Sequence, residues 1–218
     1  MDIRKNRLLS VLVKAHKQSF LDVQKNDSMI DFLGYHTCKP DNGDEFVLQY
    51  APFLSEDNPR QWLGQGYYLW TDSPNFAHHW GKVGYNNSYV IVKCGITYDK
   101  NAIFDLVGNV FHQELFLQFY EKYKQRIEIE GLHQPETVGG LIKFLRGSSE
   151  DIGNEFLFHA VKIKDSPNSS DKYVIHEGKS SYMLMLERHQ ICFYKDKITD
   201  INKVITNKEI FHKQSISV

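Results

Sequence analysis

Gly64-Gln65-Gly66-Tyr67-Tyr68-Leu69 is the stretch that decides the fold, together with Gly34-Tyr35-His36-Thr37-Cys38, whose histidine lies 28 residues before Gly64. Both stretches combine glycine with aromatic or β-branched residues, a composition that predicts strands. Asp72-Ser73-Pro74 then predicts a helix start, because Asp or Ser caps free backbone amides and Pro suits the first helical position. The sequence therefore predicts a histidine-bearing strand, a tyrosine-bearing strand and a helix in close succession.

Composition indicates one well-packed domain with no strong charge preference. The chain has 218 residues, of which 41% are hydrophobic and 13% aromatic, enough for one packed core. With 26 basic and 27 acidic residues the net charge is -1, so the chain as a whole is not attracted to nucleic acid or membrane. Any such affinity has to come from a local patch.

The cysteines and the apolar segments predict a cytoplasmic protein. Cys38, Cys94 and Cys192 are odd in number and form no Cys-x-x-Cys pair, which argues against a disulfide framework and a structural zinc site. The apolar run from Leu8 to Val13 is broken by Ser10, and no stretch reaches the roughly 20 residues of a membrane helix. We expect reduced thiols and no membrane insertion.

The hydrophobic pattern divides the chain into a helix and one domain. Residues 1–30 show helical spacing and predict an N-terminal helix, and residues 31–218 then form a single domain with a helical insert at about 109–146. Further strands are predicted at Phe32 to Cys38, Phe46 to Tyr50, Trp62 to Trp70, Ser88 to Ile96, Phe156 to Ile163, Tyr173 to His176, Tyr182 to Leu186 and Gln190 to Tyr194.

The remaining helices follow from caps and periodicity. A helix is predicted from Asn75 to Trp80, stopping at Gly81, and two more from Asn109 to Glu130 and from Thr137 to Leu145. The last segment, from Lys195 to Val218, carries lysines with scattered isoleucines and is expected to fray after a last turn or strand.

At this point the sequence resembles the ADP-ribosyltransferase superfamily, in the branch that contains diphtheria toxin and the poly(ADP-ribose) polymerases. Its signature is a His, a Tyr and a third residue on three separate strands, and the resemblance covers roughly residues 33–195. It implies an α+β fold of the split β-sandwich type, with two small, mainly antiparallel sheets that clasp NAD as the co-substrate and are flanked by helices.

The first family motif is aromatic-His-Gly-Thr/Ser, and Tyr35-His36-Thr37-Cys38 stands at its place. The resemblance implies that His36 hydrogen-bonds the adenosine-side or nicotinamide-side ribose, and that the Thr37 backbone grips the carboxamide. Thr37 replaces a glycine that lets nicotinamide approach the backbone, and Cys38 replaces a hydroxyl.

The second motif, Gly-x-Gly-x-Tyr, is matched by Gly64, Gly66 and Tyr68. Because a phenol ring is flat, it can stack on the flat nicotinamide ring. The family also supplies a second stacking ring about eleven residues later, which implies His79, with Trp80 as its neighbour.

The third motif is matched by Arg188-His189-Gln190-Ile191-Cys192-Phe193-Tyr194, with Gln190 where the catalytic glutamate of the family stands. Glutamine keeps the hydrogen bond to ribose and loses the charge, which predicts transfer of single ADP-ribose units or an inactive site. Glu187 lies three residues upstream, an odd offset that points it to the other face of a strand. Glu155 is the freer candidate for deprotonating an acceptor.

Other interpretations compete with this one. His78 and His79 could ligate a metal, but adjacent helical residues diverge by about 100° and no further ligand lies near them in the sequence. Lys122, Lys124 and Arg126 could contact phosphates beside Tyr120 and Tyr123, or they form a solvated helix face. The related RNA 2′-phosphotransferases need an Arg and His set that we cannot assemble.

The resemblance therefore implies an NAD-dependent mono-ADP-ribosyltransferase that modifies a nucleic acid, DNA or RNA, or a protein. The small format resembles bacterial toxin-antitoxin or phage-defence transferases, so an antitoxin protein is an expected partner. The alternative is a non-catalytic module that binds NAD or ADP-ribose.

Overall fold

The computed structural model describes residues 28–58, 61–131, 138–147, 156–164, 172–174, 182–184 and 187–214. The predicted N-terminal helix therefore lies outside the described residues, except that Met29 and Ile30 begin a strand. The described residues form an α+β fold in which helices cover a central sheet.

The strands in chain order are β1 (Met29–Cys38), β2 (Tyr67–Thr71), β3 (Tyr89–Asp99), β4 (Ile103–Asp105), β5 (Ala160–Lys164), β6 (Lys172–Val174), β7 (Tyr182–Leu184), β8 (His189–Phe193) and β9 (Ile205–Gln214). The helices are α1 (Gly43–Tyr50), α2 (Asn75–Gly84), α3 (Val110–Glu130) and α4 (Val138–Gly147). A local signal explains the start of α3. Asn109 begins this helix by accepting a hydrogen bond from the His112 amide.

One seven-stranded sheet has the order β4-β5-β8-β2-β1-β3-β9, and β6 pairs with β7 in a separate two-stranded sheet. Every neighbouring pair in the large sheet is antiparallel except β4 and β5. The sequence predicts two small sheets, whereas hydrogen bonding among the described residues joins the principal strands into one.

Strand register assigns the side chains of the central strands to two faces. Tyr35 of β1 pairs with Trp70 of β2, and Trp70 pairs with Gln190 of β8. Paired residues point to the same face, and so do residues two apart on one strand. We call this the front face, which also carries Tyr68, and we call the other the back face, which carries His36.

Different segments cover the two faces. On the front face, α2 buries Ala77 against Tyr35, while α3 and α4 enclose a second cluster that includes Phe119 and Ile142. On the back face, α1 buries Val47. The segment before β9 closes that face with three further apolar residues, Ile198, Ile201 and Val204. The two front-face clusters leave β2 between them.

The predicted strand from Phe46 to Tyr50 is wrong, because these residues form α1. Asp44 and Glu45 lie in its first turn, where carboxylates favour the helix dipole. The rings of Phe46 and Tyr50 then meet at 4.7 Å, the contact expected four residues apart on a helix.

The last strand expected in the C-terminal segment is present, because residues 205–214 form β9, which pairs with β3 along nearly its whole length. Fraying after that strand concerns residues outside the described part of the chain. Lys93 and Glu209, which are cross-strand partners, form an ion pair of 2.8 Å. Lys208 donates to the backbone carbonyls of Gln49 and Ala51, both at 3.0 Å. These contacts are distant in sequence, so local composition does not reveal them.

Candidate functional site

The front face of β2 presents two aromatic side chains, Tyr68 and Trp70, and both are half-buried. Gln190 lies beside Trp70 on the next strand, β8. Thr37 on β1 and Trp62 in the loop before β2 complete the set. We call these five residues the front-face site.

Two glycines shape the loop that leads into β2. Gly64 has φ +82°, a left-handed conformation that side chains rarely adopt. A Cβ on Gly66 would overlap the Cys192 thiol and the Phe193 carbonyl oxygen, so only glycine lets β2 begin this close to β8. The Gly-x-Gly pattern thus has a structural cause, which is to seat Tyr68 against the loop.

The Tyr68 hydroxyl is fully engaged by this loop. It donates to the Gly64 carbonyl oxygen at 2.6 Å and accepts from the Leu63 amide at 3.2 Å. Burial raises the pKa of Tyr68 well above its ordinary value. Tyr68 therefore offers a ligand a fixed ring surface and no dissociable proton.

Gln190 is nearly buried, with 8% of its surface exposed, and its amide is held by an indole. Trp62 Nε1 donates to Gln190 Oε1 at 2.8 Å. The amide nitrogen, Nε2, makes no hydrogen bond to another residue in the described part of the chain. Within the described part of the chain, Gln190 thus presents a donor that has no protein partner at the front-face site.

Thr37 closes one side of the site. Its hydroxyl donates to the Ala77 carbonyl oxygen of α2 at 2.9 Å, and the side chain is buried. A glycine here would leave that space open, so the threonine narrows the approach to the β1 backbone. Carboxamide binding by the Thr37 backbone stays a prediction.

His36 lies on the back face, opposite Tyr68 and Gln190. Its Nε2 accepts from the Phe53 amide at 3.1 Å, and its Nδ1 donates to the Tyr68 carbonyl oxygen at 2.9 Å. Burial lowers the pKa of His36 to about 4, so the ring is neutral at pH 7. A ribose contact from His36 stays a prediction, and it requires the ring to give up one of these bonds.

His79 is exposed on α2, whereas the neighbouring His78 is half-buried on another side of the helix. His78 Nδ1 lies 3.1 Å from the Tyr89 hydroxyl, and its ring meets that of His212 at 4.6 Å. Stacking of His79 on nicotinamide stays a prediction. Among the described residues no group of three or more His, Cys, Asp or Glu side chains is placed to hold a metal ion.

Of the two alternative carboxylates, Glu155 lies outside the described residues. Glu187 forms an ion pair with Lys164 at 2.8 Å and lies 3.3 Å from His189 Nε2. The hydrogen bond from Lys164 lowers the pKa of Glu187 more than burial raises it. Both partners of Glu187 point to the back face. Lys164 of β5 pairs with His189 of β8, and His189 precedes the front-face residue Gln190 on its strand.

The three cysteines are unsuited to nucleophilic catalysis. Cys38, Cys94 and Cys192 are all buried free thiols, and burial raises the pKa of each to about 12. Because the thiolate is the reactive form, these side chains act as core residues.

Two of the basic side chains on α3, Lys124 and Arg126, make contacts within the protein. Lys124 pairs with Glu121 at 2.7 Å and lies over the Tyr120 ring, while Tyr123 belongs to the core. Arg126 lies over the Phe144 ring of α4. In the described part of the chain no helix is both long and apolar enough to span a membrane.

Trp62 is the site residue that the sequence did not reveal. The predicted strand from Trp62 to Trp70 is wrong at its start, because Trp62 lies in the loop before β2, and its partner Gln190 is 128 residues away. A tryptophan beside a Gly-x-Gly turn is the only local signal, and it does not name the partner.

Comparisons of the chain with protein-family models, with curated proteins and with solved structures give no significant match.

Proposed function

We propose that this protein is an NAD-dependent mono-ADP-ribosyltransferase with a variant of the split β-sandwich fold of that superfamily. The observation that carries the proposal is the placement of Tyr68 and Gln190 on the same face of neighbouring strands. Tyr68 pairs with Cys192, which is two residues after Gln190 on β8. The reaction needs a ring that stacks on nicotinamide and a donor that binds the ribose, held close to each other. The half-buried Tyr68 ring and Gln190 Nε2, which has no partner among the described residues, are suited to these roles.

In the proposed reaction the bond between ribose C1′ and the nicotinamide nitrogen breaks, and nicotinamide leaves with the bonding electron pair. The acceptor's nucleophile forms a bond to C1′ and releases its proton to solvent. Tyr68 holds the nicotinamide ring in place by stacking, and Gln190 orients a ribose hydroxyl through Nε2. Neither side chain supplies a charge, so slow transfer of single units is expected.

The acceptor we favour is a nucleic acid, in keeping with the resemblance to toxin and phage-defence transferases. On α3 the exposed Tyr120 ring is covered by the Lys124 ammonium, which is itself paired with Glu121, so this surface adds no support to that choice. An antitoxin protein is the expected partner of an enzyme of this kind.

The test is to incubate the purified protein with a cell extract and NAD labelled on the adenylate phosphate. Tyr68→Ala removes the stacking ring, and Tyr67→Ala is the matched control, because Tyr67 is the adjacent residue on the back face. We expect label in large material with the wild type and with Tyr67→Ala, and at least about tenfold less with Tyr68→Ala.

Nuclease and protease treatment then identify the acceptor. Release of the label by nuclease supports a nucleic-acid acceptor. Release by protease alone would show that the acceptor is a protein. Equal labelling by Tyr68→Ala and the wild type would overturn the proposed role of the ring.

A second function is favoured by one observation, the uncharged amide of Gln190 with its oxygen already bonded to Trp62. A site of this kind suits a module that binds NAD or ADP-ribose without turnover. Calorimetric binding of NAD without release of free nicotinamide would select this function over the transferase.

A further inference from the structure

We infer that Trp62 is a positioning residue that fixes the amide of Gln190 in one of its two orientations, with Nε2 toward the ligand. The identity of the ligand as NAD rests on the proposed function. The orientation itself rests on the hydrogen bond between the two side chains, which joins residues 128 positions apart.

An indole nitrogen is a donor only, so the atom that it meets must be an acceptor. At 2.8 Å from Trp62 Nε1 this atom is the carbonyl oxygen of Gln190, because the amide nitrogen would place two donors against each other. The flip of a glutamine amide is otherwise ambiguous, and here Trp62 decides it. The side of the amide left for a ligand is the donor side.

This orientation sets what the site can recognise. Nε2 binds a lone pair, such as that of a ribose hydroxyl oxygen, and it can neither accept a proton nor receive a hydrogen bond. The site therefore selects ligands by an acceptor at this position. A flipped amide would turn its oxygen toward the same acceptor and repel it.

A carboxylate at position 190 would not need this help. Its two oxygens are equivalent, so one can accept from Trp62 while the other faces the ligand, whichever way the group turns. In Gln190→Glu, the hydrogen bond from Trp62 should therefore no longer affect NAD affinity. If Trp62 only packed in the loop, replacing it would weaken NAD binding equally with Gln or Glu at position 190.

The experiment is a double-mutant cycle on the full-length protein, with the NAD dissociation constant measured by calorimetry. Trp62→Phe keeps an aromatic ring and removes the donor. We expect it to raise the dissociation constant about fivefold when residue 190 is Gln, in line with the loss of about one hydrogen bond. In the Gln190→Glu background we expect a change of less than about twofold.

Equal losses in the two backgrounds, or no loss in either, would overturn the inference. Thermal unfolding of all four proteins checks that each is folded. If Trp62→Phe does not fold, Gln190→Leu provides a second test, because it removes the acceptor while the indole stays.

In that test, nuclear magnetic resonance follows solvent exchange of the Trp62 indole hydrogen. We expect exchange at least about tenfold faster in Gln190→Leu than in the wild type, with the indole of Trp80, which lies on α2, as the internal control. Unchanged exchange at Trp62 would overturn the inference. This measurement needs no NAD, so a failure of the protein to bind NAD would count against the proposed function alone.

Discussion

His36 and Tyr68 are joined by a hydrogen bond of 2.9 Å from the imidazole Nδ1 to the Tyr68 carbonyl oxygen. Because Nε2 accepts from the Phe53 amide, the ring is neutral and carries its hydrogen on Nδ1. One side chain thus ties β1 to β2 and to the loop after α1. A second proton on this ring would break the bond to Phe53.

This relationship predicts that acid destabilises the fold through His36. The pKa of His36 is lowered by burial from 6.5 to about 4, so between these pH values the unfolded chain binds a proton that the native protein excludes. The contribution of His36 is complete above about pH 6.5 and decreases as the pH falls to about 4, by up to about 3 kcal/mol. Urea unfolding at pH 7 and pH 5 measures the decrease.

The comparison needs two variants, because other histidines titrate in the same range. His36→Gln has no titrating group at this position and should lose less stability between pH 7 and pH 5 than the wild type. His79→Gln, at an exposed position, should behave as the wild type does. Equal pH dependence in His36→Gln and the wild type would contradict the assignment.

The two roles of Tyr68 can be separated. Tyr68→Phe loses the bonds to Gly64 and Leu63, and we expect the free energy of unfolding to fall by about 1 kcal/mol. The ring remains, so NAD affinity should change by less than about threefold, whereas Tyr68→Ala should reduce both quantities. Calorimetry and urea unfolding measure them. If Tyr68→Phe lost NAD binding as fully as Tyr68→Ala, the hydroxyl itself would have to contact the ligand.

Elements with strong local signals were predictable from the sequence. The spacing of Leu115, Phe119 and Tyr123 predicts α3, and all three of these side chains lie in the core. The run from Tyr89 to Cys94 predicts β3. In contrast, α1 is short enough for its apolar residues to read as a strand, and β9 depends on pairing with a strand more than 100 residues earlier.

The site was predictable only in part, for a similar reason. The Gly-x-Gly-x-Tyr pattern identifies Tyr68 locally, and β8 supplies Gln190 on the neighbouring strand. Whether His36 shares their face depends on the register between β1 and β2, and an offset of one residue exchanges the faces. The sequence does not specify that register, and it does not pair Trp62 with Gln190.

The two glycines before Tyr68 should differ in their tolerance of alanine. Gly64→Ala meets only Arg146, at 3.9 Å, so its cost is the left-handed backbone, about 1 kcal/mol. Gly66→Ala overlaps the Phe193 backbone and the Cys192 thiol, and we expect about 3 kcal/mol. Urea midpoints compare the two variants. An equal cost would mean that β2 can shift away from β8.

Gln190→Glu is expected to increase the rate of nicotinamide release. One carboxylate oxygen can accept from Trp62 Nε1 as Gln190 Oε1 does, which leaves the other toward the ribose, where positive charge develops as nicotinamide departs. Restoring one such preorganised electrostatic contact is worth about 10²-fold in rate. Single-turnover release of nicotinamide from NAD measures the gain. Gln190→Leu, which has neither donor nor charge, serves as the control and should be slower than the wild type. A Gln190→Glu rate at or below that of the wild type would show that the ribose does not lie against this side chain. The front-face site would then not be the site of nicotinamide release.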